Sequence, residues 1–219
     1  MGRESTIEEH KERLGLQFDC EIIDVRDDPR RKGKYSDILR EERARKGVTR
    51  ADAVRMLRSR TYFGSMMVAS DDADGLVGGI DRHYPDILRP CLHTIGTAPE
   101  VERLVGMYMM TIKGQLLFIG DATINIYPDS QTLAEIAIET AKMARRFGVK
   151  PVVAMLSFSN FGSSKEYRST RIEDAIKIVK ERDPSLIIDG PMQADTALVS
   201  DIQDEYPFMT FNGPANVLI

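Results

Sequence analysis

Val152-Val153-Ala154-Met155-Leu156, a helix-compatible run from Thr170 to Arg182, and then Leu186-Ile187-Ile188 form the succession that decides the fold. Five consecutive apolar residues are what a strand covered on both faces requires. Within the run that follows, Ile172, Ala175, Ile176 and Val179 recur at helical spacing, so one face turns inward. A second apolar strand then returns beside the first through a right-handed crossover. Working outward, Ser130 to Phe147 reads as a helix. Thr132 and Glu135 give it a capping-box pattern, Leu133, Ile136, Ala137, Thr140, Ala141 and Ala144 share a face, and Gly148 ends it. Glu102 to Thr111 and Gln115 to Gly120 flank Lys113-Gly114 as a tight hairpin. Ala194 to Tyr206 reads as helix and Asn216 to Ile219 as one more strand. Strands alternating with helices predict an α/β fold with a mostly parallel sheet.

The first half is more helical. Cys20 to Val25 reads as a short strand broken at Asp27-Asp28-Pro29. Ser36 to Lys46 is a charged helix ending at Gly47, and Thr49 caps another with Asp52 in its first turn. Tyr62 to Val68 is apolar, either helix or buried strand. Asp71 to Gly79 reads as an acidic turn entering a short strand that ends in glycines. Pro85 opens a helix carrying Ile87, Leu88, Cys91, Leu92 and Ile95. Thr97-Ala98-Pro99 marks a boundary, giving domains over 1–98 and 99–219. The last residues, Val217-Leu218-Ile219, are three β-formers with no cap, so a strand there is expected to lack cover and the chain to be a piece of a longer protein.

Composition narrows the function classes. A hydrophobic fraction of 42% supports a core, and a net charge of -4 from 30 basic and 34 acidic residues argues against nucleic acid or an anionic membrane as partner. No apolar run has the length of a membrane span, and Met1 to Ser5 lacks a signal core. Cys20 and Cys91 read as reduced thiols of a cytoplasmic protein. His10, His83 and His93 share no metal-ligand spacing, so no metal or cofactor is expected in these residues.

Chemistry concentrates in three places. Ser157-Phe158-Ser159-Asn160-Phe161-Gly162-Ser163-Ser164 follows a buried strand, at the carboxyl end where α/β sheets place ligands. Its hydroxyls, amide and glycine-exposed backbone can donate to a phosphate, with Arg168 and Arg171 nearby; a plain polar loop is the alternative. Asp189 to Asp195 follows the next strand, where Gln193 or Asp195 can cap a helix. Arg45 near a helix end and Arg89 on a mostly apolar stretch are either salt-bridged or anion ligands. Asp74 and Asp121 are turn formers or partners for such arginines. No Walker A loop, dinucleotide fingerprint or Gly-x-Ser-x-Gly elbow occurs.

Four ordered segments resemble the phosphate acetyltransferase family: Asp72 to Gly79; Arg89-Pro90 with Gly96 to Pro99; Met155 to Ser163; and Asp189 to Asp195 with Gly213 to Ile219. Two details are more similar to the carboxy-terminal domain of large bacterial NADP-dependent malic enzymes. One is Ser159-Asn160-Phe161-Gly162-Ser163 with Gln193-Ala194-Asp195, and the other is Ala134-Glu135-Ile136-Ala137-Ile138 leading to Ala144 through Gly148. The resemblance implies an isocitrate-dehydrogenase-like α/β fold of two subdomains, truncated at both ends, with a cleft between them. It implies that the domain binds acetyl-CoA or a related acyl-CoA as an effector, and that homo-oligomers form through the second subdomain. The parent protein is then expected to use NADP and magnesium or manganese. It also implies that the family's catalytic serine, arginine and aspartate lie outside this chain. Arg45, Arg89, Ser157, Ser159, Asn160, Ser163 and Ser164 are the ligand-binding positions it suggests.

Overall fold

The structure, a computed structural model, describes residues 1–99, 101, 103–162 and 167–219, and for 167–169 the backbone alone. Two compact units divide it, Met1–Glu100 and Val101–Ile219.

The second unit carries the sheet. Its strands are β1 (Met107–Ile112), β2 (Gln115–Gly120), β3 (Val152–Leu156), β4 (Ile187–Met192) and β5 (Val217–Leu218), in spatial order β1-β2-β5-β3-β4. β1 pairs antiparallel with β2, and the other neighbours are parallel. The hairpin turns at Lys113 and Gly114, with φ of 50° and 79°, the double positive φ that matches strand twist. Of the expected first strand, residues 103–106 stay outside the ladder, and Glu102 lies outside the described residues.

Alternation along β3 sorts side chains to two faces. Val153 and Met155 meet Phe118, Ile188 and Val217 beneath α6 (Ser130–Arg146) and α7 (Tyr167–Arg182). Ala154 faces Met192, Ala197 and Leu218, covered by α8 (Ala194–Leu198) and residues 209–211. α6 is capped by Asp129, not by Thr132: the Asp129 carboxylate accepts from the Thr132 backbone N–H at 2.8 Å and from its hydroxyl at 2.6 Å. The expected capping box fails because the charged oxygen one turn earlier takes both donors. The expected helix Ala194–Tyr206 is broken at Val199, whose φ of -115° and ψ of 112° separate α8 from α9 (Ser200–Gln203). The strand over Asn216–Ile219 is present in its middle, but its surroundings differ from expectation. Val217 and Leu218 are buried and paired on both sides, so neither apolar side chains nor ladder groups are left uncovered.

In the first unit the described residues form helices: α1 (Glu4–Leu14), α2 (Lys34–Arg43), α3 (Arg50–Met56), α4 (Arg60–Ala69) and α5 (Tyr84–Thr94). The strands expected at Cys20–Val25 and within Asp71–Gly79 are absent from the described residues, and parallel pairing is confined to the second unit. Cys20 to Asp24 finds no neighbouring strand; the Gly2 N–H donates to the Ile23 carbonyl at 2.9 Å, and the Asp24 carbonyl accepts from the turn that follows, at Asp27 and Asp28. Ile23 and Val25 still turn inward, onto Tyr35, Leu39, Ala53, Leu57, Phe63 and Met66. Thr49 caps α3 as the sequence predicts, Asp52 answers it to complete a capping box, and a 3-10 turn over Ala44–Lys46 ends at Gly47 with φ 79°.

Asp121 settles as a turn former. It accepts from the backbone N–H groups of Thr123, Ile124 and Asn125 at 2.9 to 3.0 Å and from the Asn125 amide. Partial burial opposes its ionisation, but these donors prevail and hold its carboxyl below the usual range. A depressed carboxyl adds stability above its unfolded value and loses it as pH falls through the folded one. Asp121→Asn is therefore expected to lower the melting temperature at neutral pH and to flatten its fall between about pH 4 and pH 2; an unchanged acid limb in thermal scans refutes this.

Candidate functional site

Two clusters emerge, one in each unit. In the second unit, β3 delivers the chain into the serine turn, and β4 holds it from beside. The Ser157 N–H donates to the Met192 carbonyl at 2.8 Å, and the Phe161 N–H to the Pro191 carbonyl at 2.8 Å. Asn160 accepts from the Gln193 backbone N–H at 2.7 Å and donates to the Tyr206 hydroxyl oxygen at 3.2 Å. Gln193 reaches back to the Phe158 carbonyl at 2.9 Å. Gln193 thus holds the N-cap position of α8 while its side chain fastens the turn instead of capping. Ser159 is buried, and its hydroxyl has no partner among the described residues. A buried donor left free in a turn already fixed on both sides is available to an added acceptor. Ser157 is half-buried beside it. Ser163, Ser164 and the side chain of Arg168 lie outside the described residues, while the Arg171 Nε is buried without a partner among them.

Asp189 does not sit beyond a strand end. β4 runs on through Met192, and a bulge sets Gly190-Pro191 against Met155 alone. Its carboxylate accepts from the Gly190 and Thr210 backbone N–H groups at 2.8 and 2.7 Å, which makes it a clamp on the loop that covers the sheet.

In the first unit, Arg89 projects from α5, exposed, into a recess of about 360 Å³ shared with Ser59, Thr61, Tyr62, Arg82 and Asp86. Beyond Arg82 in the recess itself, the guanidinium that acts with Arg89 on its neighbours is Arg43, not Arg45. Burial, with the charges of Arg43 and Arg89, pushes the His93 imidazole below its usual value. Burial raises the Tyr62 phenol against those same two charges. The Arg43 Nε is buried with no partner among the described residues, and neither arginine forms a salt bridge with a described carboxylate. Arg45 stands exposed in the 3-10 turn. The signal for Arg43 was in the sequence: Tyr35, Leu39 and Arg43 follow one another at i, i+4 and i+8, extending the buried stripe of α2. Two residues on, Arg45 faces away. Arg43 and Arg89 act on the same two side chains, His93 and Tyr62, and guanidiniums outside salt bridges suit an anion, above all a phosphate, with Asp86 the one carboxylate that lines the recess among the described residues. Among the described residues no three His, Cys, Asp or Glu side chains are grouped as metal ligands. Cys20 and Cys91 are free thiols, and no described helix is long and apolar enough to cross a membrane.

The profile described as Phosphate acetyl/butaryl transferase matches residues 1–219, and the chain is a member of that family. Over its whole length it is 36% identical to the NADP-dependent malic enzyme of Rhizobium meliloti, of which it covers 29%. Over 87% of its length it is 41% identical to the phosphate acetyltransferase of Bacillus subtilis, of which it covers 55%. All of it superposes on 67% of the EutD phosphotransacetylase from Staphylococcus aureus, with a TM-score of 0.82 and 36% identity. The chain therefore spans about a third of the malic enzyme and about half of the Bacillus acetyltransferase.

Proposed function

We propose that this chain is the phosphate-acetyltransferase-like domain of a malic enzyme, and that it binds acetyl-CoA or a related acyl-CoA as an effector. The observation that carries this reading is that Arg43 and Arg89, neither in a salt bridge with a described carboxylate, both act on His93, in a chain whose whole length aligns with 29% of a malic enzyme. The guanidiniums take the phosphates of the acyl carrier. Within the second unit, Ser157, Ser159 and Asn160, with Ser163 and Ser164, are a separate set of neutral donors. The effector acts by binding one state of the oligomer more tightly than another. The free edge of β1, where Tyr108, Met109, Met110 and Ile112 are each at least 43% exposed, offers the second unit an apolar surface for a further copy. The parent protein is cytoplasmic and decarboxylates malate oxidatively to pyruvate with NADP and magnesium or manganese, held by other residues.

Calorimetry of the full-length protein with acetyl-CoA tests this. Arg89→Ala is expected to weaken binding by about tenfold or more, the scale of losing a charge-assisted contact to phosphate; equal affinity in the variant removes the cluster from the site. The 41% identity to the Bacillus acetyltransferase favours a second reading, acetyl transfer between CoA and phosphate. Turnover of acetyl phosphate by the full-length protein in a coupled assay decides for that reading.

A further inference from the structure

Tyr62, which lines the recess beside Arg89, makes a hydrogen bond that the ligand reading leaves unused. The Tyr62 oxygen and His93 Nδ1 are 2.8 Å apart, linking α4 to α5, with ring centroids 6.0 Å apart. We propose that this pair is a proton-controlled element of the anion site: protonation of His93 frees the Tyr62 hydroxyl to donate to the bound anion and adds a positive charge to those of Arg43, Arg82 and Arg89. The inference rests on the reading of the two arginines as an anion site.

The argument is one of donors and acceptors. Neutral imidazole carries one N–H. With Nδ1 accepting the Tyr62 O–H, the imidazole proton stands on Nε2, and the Tyr62 hydrogen is turned away from the recess. A proton taken from solvent enters Nδ1. Nδ1–H then donates to the Tyr62 oxygen, and the phenol O–H must point elsewhere. Tyr62 lines the same recess as Arg89, with Ser59 and Thr61, so the freed donor points among groups already suited to a phosphate-like ligand.

The groups acting on His93 are known on each packed side. Arg43 faces it from α2, Tyr62 from α4, and Arg89 from its own helix α5; Arg82 and Asp86 line the recess that Tyr62 and Arg89 share. Burial and the two guanidiniums hold His93 neutral near pH 7, while burial keeps the Tyr62 phenol protonated throughout. An anion between the arginines cancels the field that opposes protonation. Anion binding and His93 protonation therefore favour each other reciprocally.

Sulfate is the probe, because its charge stays constant from about pH 5 to pH 7.5, where His titrates. The chain has three histidines, so His93 is assignable by NMR after one substitution. Saturating sulfate is expected to raise the His93 midpoint by about half a pH unit or more, and sulfate affinity to rise about threefold or more from pH 7.5 to pH 5. In His93→Gln the affinity at pH 7.5 is retained and the rise on acidification is lost. In Tyr62→Phe part of the rise remains, through charge alone. If His93→Gln keeps the full pH dependence while Arg89→Ala abolishes sulfate binding, the proton switch is wrong and the anion site stands. If Arg89→Ala leaves sulfate binding intact, or sulfate does not bind, both fall.

Discussion

Gly190→Ala is expected to cost the second unit about 3 to 5 kcal/mol, combining backbone strain with overpacking. Gly190 has φ 142°, and a Cβ there would stand 2.5 Å from the Met155 carbonyl oxygen and 2.9 Å from the Met155 Cβ. Neither neighbour can give, because Met155 is the buried residue of β3 opposite the bulge. The loss is a large share of the roughly 5 to 15 kcal/mol that holds a domain together. It falls directly beneath the serine turn, since the Pro191 and Met192 carbonyls hold Phe161 and Ser157. Urea unfolding followed by circular dichroism reads the effect. Gly148 is the matched control: its φ is 74°, but nothing lies within 4 Å of where a Cβ would stand. Gly148→Ala is expected to lose about 1 kcal/mol, through strain alone. Equal midpoints for the two variants would show that the close approach at Met155 carries no energy.

Phe63→Ala is expected to destabilise the first unit by about 3 to 5 kcal/mol, the cost of a buried ring lost to a cavity. Phe63 is fully buried, edge-on to Tyr35 at 5.1 Å, with the Arg30 guanidinium 5.5 Å above its ring. Tyr35 is itself tied down, donating to Asp72 at 2.6 Å, and burial pushes its phenol up to about 12. Phe63 follows Tyr62 on α4, so loosening the helix also loosens the recess beside Arg89. The chain has no tryptophan, so near-ultraviolet circular dichroism of its tyrosines follows the change. A variant with the parent's melting curve refutes the prediction. Phe63→Leu, which keeps most of the volume, should lie between the two.

The sheet was legible because its strands are continuous apolar runs whose pairing partners are also apolar: Val152 to Leu156, Leu186 to Ile188 and Val217-Leu218 needed no side-chain detail to be found. Lys113-Gly114 gave the hairpin through turn chemistry. Cys20 to Val25 misled because β-propensity describes a residue's fit to a pleated surface, and no such surface lies beside it in the described residues. The Thr132 cap misled because Asp129, three residues earlier, competes for the same N–H with a charged oxygen. At the site, Ser159 and Asn160 were found from their place after β3, whereas the roles of Gln193 and Tyr206 arise from contacts 33 and 46 residues away that no local pattern encodes. Arg43 was recoverable from the periodicity of α2. Tyr62 and His93 were not, because their meeting depends on how α4 and α5 pack.

The position of β5 bears on how the protein is made. Among the described residues β2 and β3 have no direct pairing; each meets the other half of the sheet through Asn216 to Ile219. On the ribosome, the hairpin and the β3–α7–β4 unit therefore wait as separate pieces, with Phe118 and Val153 at open edges, until residue 217 has emerged. Long-range parallel pairing is slow to form, and open apolar edges invite association between nascent chains. Overproduced protein is thus most vulnerable to aggregation, and most in need of chaperones, in the interval before that short central strand slots home.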